Sequence, residues 1–389
     1  MNFKYYIPTK ILFGRGQLAN LHKEKLPGTR ALIVTTGGRS VVDNGYLART
    51  EEELKAAGCT FVLFNKITAN PDRSEVMDGA ALAKAENCDF IVGLGGGSPI
   101  DAAKAIAVMA TNPGDYWDYM VRGTGGGRPV SVTPLPVVAI TTTAGTGTEA
   151  DPWTVISNAA TGEKFGFGID GTFPVLAVVD PELMLTVPRD YTVFQGFDAL
   201  FHSLEGYLAN IATPISDIFA LKALSLIAEN LPAAVFDGGD IAARENMALA
   251  NTLSGMVEST SGCISEHALE HILSGVYKNL PHGAGLIMLS VAYFSKIAEK
   301  HTSDDRLVEL AKALGNKNAK TPEDFIAALQ KLQQACGADK LKMSDYGIEK
   351  ERLREFAAAA KTQNALSFRL DPCDLSIADC AEIYERSYR

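Results

Sequence analysis

The sequence predicts an α/β domain built on a parallel sheet over residues 1–187, followed by an all-helical domain over residues 188–389. Two observations predict this division. Before Pro188, short β-rich apolar runs alternate with segments in which apolar residues recur at helical spacing. After Pro188, only the helical spacing recurs, for example over 216–231 and 321–336. A chain of 389 residues is long enough for two such domains.

The predicted elements of the first domain alternate regularly along the chain. The predicted strands are 31–36, 60–65, 89–97, 136–149 and 175–180. The predicted helices are 40–58, 74–87 and 98–111. This alternation is typical of a parallel sheet with helices on both faces. The hydrophobic stretches 4–14 and 153–158 are expected to add edge strands.

Composition excludes several classes of partner. The chain has 46 acidic and 36 basic side chains, a net charge of −10 and a pI near 5.2. This balance disfavours nucleic acid and anionic membranes. The N-terminus has no signal-peptide pattern, and no apolar run approaches the ~18 residues of a membrane helix. Six cysteines without a CxxC pair favour a reduced, cytoplasmic protein.

A glycine-rich loop at 93–101 ends one predicted strand and begins a helix. Three consecutive glycines allow a ligand to approach the backbone closely, and the free N–H groups of a helix start favour phosphate. These glycines are Gly95, Gly96 and Gly97. Ser98 is predicted to cap the helix and Asp101 to complete a capping-box-like pattern. A tight turn without a ligand is the alternative, because such turns are common in α/β folds.

The turn after the first buried strand bears on the choice of cofactor. In dinucleotide sites an acidic residue at this place holds the ribose hydroxyls of NAD. Here the turn contains Gly38, Arg39 and Ser40, with no carboxylate before Asp43. A small, basic, hydroxylated turn favours the additional phosphate of NADP, so NADP(H) is expected over NAD(H). The alternative is that these residues only make the turn.

Four side chains of the second domain suggest one metal site. Asp198 and His202 lie four residues apart, which places them on the same face of a helix. His267 and His271 repeat this spacing, and His282 follows in a Pro-His-Gly segment. An aspartate with several histidines suits Fe²⁺ or Zn²⁺. The predicted ligand set is Asp198, His202, His267 and His282.

Other classes of function compete with this interpretation. Residues 267–271 read HxxEH, the zinc signature of inverted metalloproteases, with Glu270 as the general base. That hydrolase hypothesis leaves the phosphate loop and three metal candidates without a role. A non-catalytic binding protein would need the glycine loop but no metal ligands.

Taken together, these motifs resemble the iron-dependent (group III) alcohol dehydrogenase family over essentially the whole chain. The motifs are FGRGQL, GGGSPIDAAK, TTTAGTGTE, GEKFGF, GFDALFHSLEGY, SEHALEH and PHGAG. The resemblance implies a Rossmann-like dinucleotide-binding domain followed by a helical metal-binding domain, as in the dehydroquinate synthase-like architecture. A sugar-phosphate lyase of the dehydroquinate synthase type is a near rival, which the DALFHSLEGY and PHGAG motifs disfavour.

The resemblance also implies the chemistry. A small alcohol or aldehyde would exchange hydride with NAD(P)H at a bound Fe²⁺ or Zn²⁺, in a homo-oligomer of two or more chains. His271 would stand near the metal without binding it, as a proton shuttle or as a residue that orients a ligand. Thr141, Thr142 and Thr146 would line the cofactor site, and Lys164 would hold the nicotinamide ribose.

Two further side chains are candidates for the substrate pocket. Trp153 follows a second glycine-rich loop, TTTAGTGTE, and is expected either to wall the pocket or to pack in the core. Glu258 is expected on a solvated helix face, with a position facing the pocket as the alternative.

Overall fold

The structure is a computed structural model that describes residues 2–389. The chain forms two compact units. One unit spans Tyr6–Thr186, and the other spans Val187–Arg389 together with Tyr5 and the residues before it. The first unit is α/β and the second is largely helical, as the sequence predicts.

The first unit contains a six-stranded sheet and a separate two-stranded hairpin. Its strands are β1 (Lys10–Phe13), β2 (Arg30–Thr36), β3 (Thr60–Ile67), β4 (Phe90–Gly95), β5 (Val137–Thr141), β6 (Thr154–Asn158), β7 (Glu163–Phe167) and β8 (Leu176–Val179). Its helices are α1 (Ser40–Asp43), α2 (Tyr46–Ala56), α3 (Arg73–Ala85) and α4 (Gly97–Thr111).

The strands of the large sheet are all parallel, in the order β1-β8-β5-β4-β2-β3. Side chains along β2 alternate between two hydrophobic cores, as the twofold period of a strand requires. Leu32 and Val34 join the core beneath α3 and α4, whereas Ala31 and Ile33 join the core beneath α2. Both faces of the sheet are therefore covered.

Two predictions for this unit need correction. The stretch 153–158 does not extend the large sheet, because β6 pairs antiparallel with β7, a strand that the sequence analysis missed. The predicted helix 40–58 is interrupted between α1 and α2. The interruption falls at Gly45, whose φ of 72° lies in the left-handed region that favours glycine. Stretch 4–14 does supply an edge strand, β1, paired with β8.

The second unit contains no strand between Val187 and Arg389. Its helices are α5 (Arg189–Leu208), α6 (Pro214–Phe236), α7 (Ile241–Ser261), α8 (Ser265–Val276), α9 (His282–Glu299), α10 (Asp304–Ala313), α11 (Pro322–Cys336), α12 (Leu353–Gln363), α13 (Ala365–Phe368) and α14 (Ile377–Ser387). Helix α5 packs against α6, α7 and α9, and α8 packs against α9. This packing brings the predicted metal ligands toward one another.

The sequence analysis expects no segment with the length and apolar character of a membrane span, but helix α6 has both. Within residues 2–389, it alone is long and apolar enough to cross a membrane by length and composition. It packs along α5 and α7 inside the helical unit. A core helix of a soluble protein passes the same test, so this helix is weak evidence for a membrane span.

Candidate metal centre and cofactor loops

Three helices contribute the predicted metal ligands. Asp198 and His202 lie one turn apart on α5, His267 lies near the start of α8, and His282 is the first residue of α9. A Cβ atom at Gly283 would lie 2.1 Å from the carbonyl oxygen of Phe194 on α5. Only glycine therefore allows the start of α9 to approach α5 this closely, and this approach brings His282 beside Asp198.

The aspartate lies at the centre of the group. Its Oδ1 atom is 3.7 Å from Nε2 of His202, 3.6 Å from Nε2 of His267 and 3.5 Å from Nε2 of His282. Donor atoms around a tetrahedral ion with bonds of about 2.1 Å are about 3.4 Å apart. The spacing is too long for hydrogen bonds and suits ligands that share an ion.

The donor set fits a divalent ion by burial as well. The side chains of Asp198 and His267 are 6% and 7% exposed. Neither Oδ1 of Asp198 nor Nε2 of His267 has a hydrogen-bond partner among residues 2–389. Buried polar atoms without partners are costly, and a shared cation would satisfy both. Oxygen and nitrogen donors of this kind suit Fe²⁺ and Zn²⁺ alike.

Electrostatics keep the aspartate ionised. Burial by itself would raise the pKa of Asp198, but the neighbouring imidazoles of His202, His282 and His267 outweigh burial and lower the pKa to about 2. The carboxylate is therefore available as an anionic donor throughout the neutral range.

Two buried glutamates behind the histidines were missed by the sequence analysis as partners of the site. Nδ1 of His267 is paired with the carboxylate of Glu205, and Nδ1 of His282 is paired with the carboxylate of Glu270. A carboxylate on Nδ1 fixes the tautomer that leaves Nε2 free to bind a metal. Glu205 lies seven residues after Asp198 on α5, on the same helix face, and this spacing was the available signal.

The same contacts count against the HxxEH hypothesis. Glu270 is fully buried and bonds His282 and Ser274, so its carboxylate is not held ready as a general base. His271 is half-buried, and its ring centre lies 5.1 Å from that of His282 and 6.1 Å from that of His267. His271 therefore lies in the same cluster of imidazoles.

The sequence analysis expects Glu258 on a solvated helix face, but the structure places it elsewhere. Its side chain is 15% exposed, and its Oε2 atom is 3.7 Å from Nε2 of His202. Cys263 lies with His202 and His267 in a group whose donor atoms are within 4.8 Å of one another. Both side chains thus adjoin the candidate metal centre.

In the α/β unit, the two glycine-rich loops follow adjacent parallel strands, β4 and β5. The amide of Thr142 donates to the carbonyl of Gly95 at 2.9 Å, which links the loops. Gly95 has a φ of 142°, and a Cβ at Gly97 would lie 2.5 Å from Thr146. Backbone conformation and loop packing therefore demand glycine here, in addition to any ligand.

The predicted cap of α4 is wrong. The N-cap residue is Gly96, and no side chain caps the helix, so neither Ser98 nor Asp101 does so. Asp101 instead accepts hydrogen bonds from Oγ1 of Thr148 at 2.6 Å and from the amide of Val155 at 2.9 Å. Tertiary partners have taken the carboxylate that the local pattern assigned to the helix start. Asp101 therefore contacts the protein with both oxygens.

A fully buried lysine also joins helix α4 to the segment that follows β5. Nζ of Lys104 on α4 donates to Thr148 Oγ1 at 2.6 Å, to Asp151 Oδ1 at 3.0 Å and to the carbonyls of Asp151 and Trp153 at 2.9 Å each. Trp153 is thus attached through its backbone to the base of the loop. The loop that follows β5 is held to helix α4 by charged groups without access to solvent.

The remaining cofactor candidates occupy varied environments. Thr141 ends β5, and Thr146 lies against Gly97. Lys164 on β7 is buried, not a solvated surface lysine. Gly38 lies in the turn between β2 and α1, and Ser40 begins α1. Their roles remain predictions.

Arg39, the basic residue of that turn, is exposed and forms an ion pair with Asp43 at 2.9 Å. The pair spans one turn of α1, and both side chains reach solvent, so it is weak and able to rearrange. Asp43 nevertheless offsets part of the positive charge that the sequence analysis assigned to the turn.

Comparison with known proteins covers nearly the whole chain. The family model for iron-containing alcohol dehydrogenase matches residues 8–181, and the model for the C-terminal part of the Fe-containing alcohol dehydrogenase family matches residues 192–388. The chain is 35% identical over 365 residues to the NAD-dependent methanol dehydrogenase of Bacillus methanolicus, covering 92% of each chain.

Two further likenesses agree. The chain is 38% identical over 274 residues to choline dehydrogenase of Bacillus subtilis, covering 70% of this chain and 67% of that protein. The solved structure of an archaeal halo-thermophilic alcohol dehydrogenase from a Red Sea brine pool matches with a TM-score of 0.94 and 33% identity, covering 100% of this chain and 99% of that one. The likeness extends over both compact units.

Proposed function

Because the chain belongs to the iron-containing alcohol dehydrogenase family, we propose a residue-by-residue assignment of its metal- and NAD(H)-dependent alcohol chemistry. The enzyme is an oxidoreductase that acts on CH–OH groups of small alcohols or on the corresponding aldehydes. We assign Asp198, His202, His267 and His282 as the metal ligands. The observation that carries this assignment is the position of Asp198 Oδ1, 3.5 to 3.7 Å from three imidazole nitrogens.

The surrounding residues prepare the site for this chemistry. When bound, the ion supplies Lewis acidity that makes an alcohol hydroxyl acidic near neutral pH, and the nicotinamide accepts hydride from the alcohol carbon. When a metal is bound, Glu205 and Glu270 would accept the Nδ1 protons of His267 and His282, which leaves the Nε2 lone pair of each ring for the ion. His271, half-buried beside them, is proposed to pass the hydroxyl proton to solvent.

We assign cofactor binding to the domain of residues 1–187 and metal binding to the domain of residues 188–389. The glycine-rich start of α4 suits the pyrophosphate, because it presents backbone N–H groups without side chains. The proposed cofactor residues are Gly38, Arg39, Ser40, Gly95, Gly96, Gly97, Ser98, Thr141, Thr142, Thr146 and Lys164. Asp101 is proposed to act indirectly, by holding Thr148 in the second loop.

The relatives described above act, by name, on a neutral alcohol, methanol, and on a cationic one, choline. We propose a small primary alcohol or its aldehyde as the substrate. We also propose that the enzyme works in the cytoplasm as a homo-oligomer. Size-exclusion chromatography of the purified protein tests the oligomeric state, and we expect a mass of at least two chains.

Metal reconstitution tests the proposed reaction. Protein stripped with a chelator and reloaded with Fe²⁺ or Zn²⁺ without oxygen should oxidise NAD(P)H in the presence of short aldehydes. The rate should exceed that of the stripped protein roughly a hundredfold or more, because the metal contributes several kcal/mol to catalysis. Absorbance of the reduced nicotinamide gives the rate. Equal rates with and without metal across the aldehydes would refute the assignment.

Preference for NADP(H) is the second proposed property. It is supported by the absence of a carboxylate in residues 37–42 and by the exposed guanidinium of Arg39. We expect kcat/KM to be higher with NADPH than with NADH. Arg39→Ala should lower kcat/KM for NADPH about tenfold and leave that for NADH within twofold, because only the phosphate contact is lost. Steady-state kinetics with both cofactors measure this, and a higher efficiency of the wild type with NADH would contradict it.

A further inference from the structure

Glu258 lies beside the candidate metal centre because its carboxylate approaches one of the proposed ligands, His202. It lies in the last turn of α7, and its Oε2 atom is 3.7 Å from Nε2 of His202. Nε2 of His202 lies at the same distance from Asp198 Oδ1. The glutamate and the aspartate therefore both approach the metal-binding nitrogen of one imidazole.

Exposure separates Glu258 from most of the site. The side chains of Asp198, His202 and His267 are at most 7% exposed, whereas His282 is 21% and Glu258 is 15% exposed. These two side chains are the most exposed of the five. Of the two, only Glu258 is an acid, and burial by the protein leaves it enough exposure to contact a substrate.

A carboxylate in this position discriminates by charge. It repels anionic substrates and attracts cationic ones, and partial desolvation strengthens both effects relative to water. Neutral alcohols gain nothing from it. Because Glu258 borders a metal ligand, a positive group that it binds must lie only a few bonds from the hydroxyl.

We propose that Glu258 makes this enzyme select small alcohols that carry an ammonium group close to the hydroxyl, as in 2-aminoethanol derivatives. This inference rests on the proposed function, because it takes the substrate hydroxyl to bind at the centre formed by Asp198 and the three histidines. Glu258 is then a specificity-determining residue that contacts the ammonium group, and it exchanges no proton or electron in the reaction.

The first test compares choline with 3,3-dimethylbutan-1-ol, a neutral alcohol of nearly the same shape. The wild-type enzyme should show kcat/KM at least tenfold higher for choline. Glu258→Gln should lower kcat/KM for choline at least tenfold more than it lowers kcat/KM for the neutral alcohol. Glu245→Gln, near the other end of α7, is the matched control and should change neither value. Equal use of both alcohols by the wild type would overturn the proposal.

A second measurement distinguishes specificity from metal binding. Chelator competition should give the same metal affinity for wild type and Glu258→Gln, and calorimetry should show weaker choline binding to the variant. Weaker metal binding, with equal losses for both alcohols, would make Glu258 a ligand and overturn the proposal. Absence of turnover with every alcohol would instead refute the proposed function, and choline binding by calorimetry would still decide the role of Glu258.

Discussion

Asp198→Asn is expected to lower kcat/KM for alcohol oxidation roughly a thousandfold, equivalent to about 4 kcal/mol of transition-state stabilisation. The exchange keeps the shape of the side chain but removes its charge. Asp198 is the only acid that lies 3.5 to 3.7 Å from Nε2 of all three histidines within the described chain, so no neighbour replaces it. The variant should also bind Fe²⁺ or Zn²⁺ far more weakly, because a neutral amide oxygen is a poorer donor.

His271→Ala is the matched control, because it removes an imidazole from the same cluster. We expect normal metal content and slower turnover, with the loss greatest where proton release limits the rate. Atomic emission spectroscopy gives the metal content, and circular dichroism shows whether each variant is folded. A folded Asp198→Asn enzyme with full metal and full activity would refute the ligand assignment. A kcat unchanged across pH in His271→Ala would remove its shuttle role.

Lys104→Met is expected to lower the free energy of unfolding by about 3–5 kcal/mol, the usual cost of breaking a buried ion pair from one side. The ammonium group has three N–H donors for four oxygen atoms at 2.6 to 3.0 Å, and it is 0% exposed. Without it, the Asp151 carboxylate loses its counter-ion while it stays buried. Lys84→Met, at an exposed position of α3, is the control and should stay within about 0.5 kcal/mol of the wild type.

The loss of unfolding free energy in Lys104→Met should be larger at high pH than at low pH. Burial raises the pKa of Asp151 to about 7, above that of an unfolded aspartate. An acid whose pKa is higher in the folded state stabilises the fold most at low pH and loses this effect as pH rises through the folded value. Removing Lys104 should raise that pKa further. Urea unfolding should therefore show a smaller deficit at pH 5.5 than at pH 8, and an equal deficit at both would contradict this account.

Part of the candidate metal cluster follows from local spacing in the sequence. Asp198 and His202 share a helix face by a four-residue interval, and the Pro-His-Gly segment indicates the start of a helix. Their glutamate partners were not predicted. Glu270 falls in the HxxEH pattern, and a sequence does not tell which imidazole a carboxylate will meet. The packing of α8 on α9 decides that it is His282.

Local rules failed where tertiary partners compete for the same group. Asp101 has the right position for a capping box, yet Thr148 and Val155 take its oxygens. Glu258 has the polarity of a solvated helix face, yet the face on which it lies is turned toward His202. In both cases the sequence indicates a polar side chain, but it does not indicate the group with which that side chain interacts.

By itself, the sequence determined the alternation of strands and helices, the change to an all-helical second half, the two glycine-rich loops and the candidate ligands. These follow from periodicity and short-range spacing, which act over a few residues. The tertiary structure alone decided that Asp198 meets three histidines from three helices, that buried glutamates hold two of them, and that Lys104 fastens a loop to α4. Such contacts join residues tens of positions apart, and only the packing of helices against one another, or of a helix against the sheet, sets those distances.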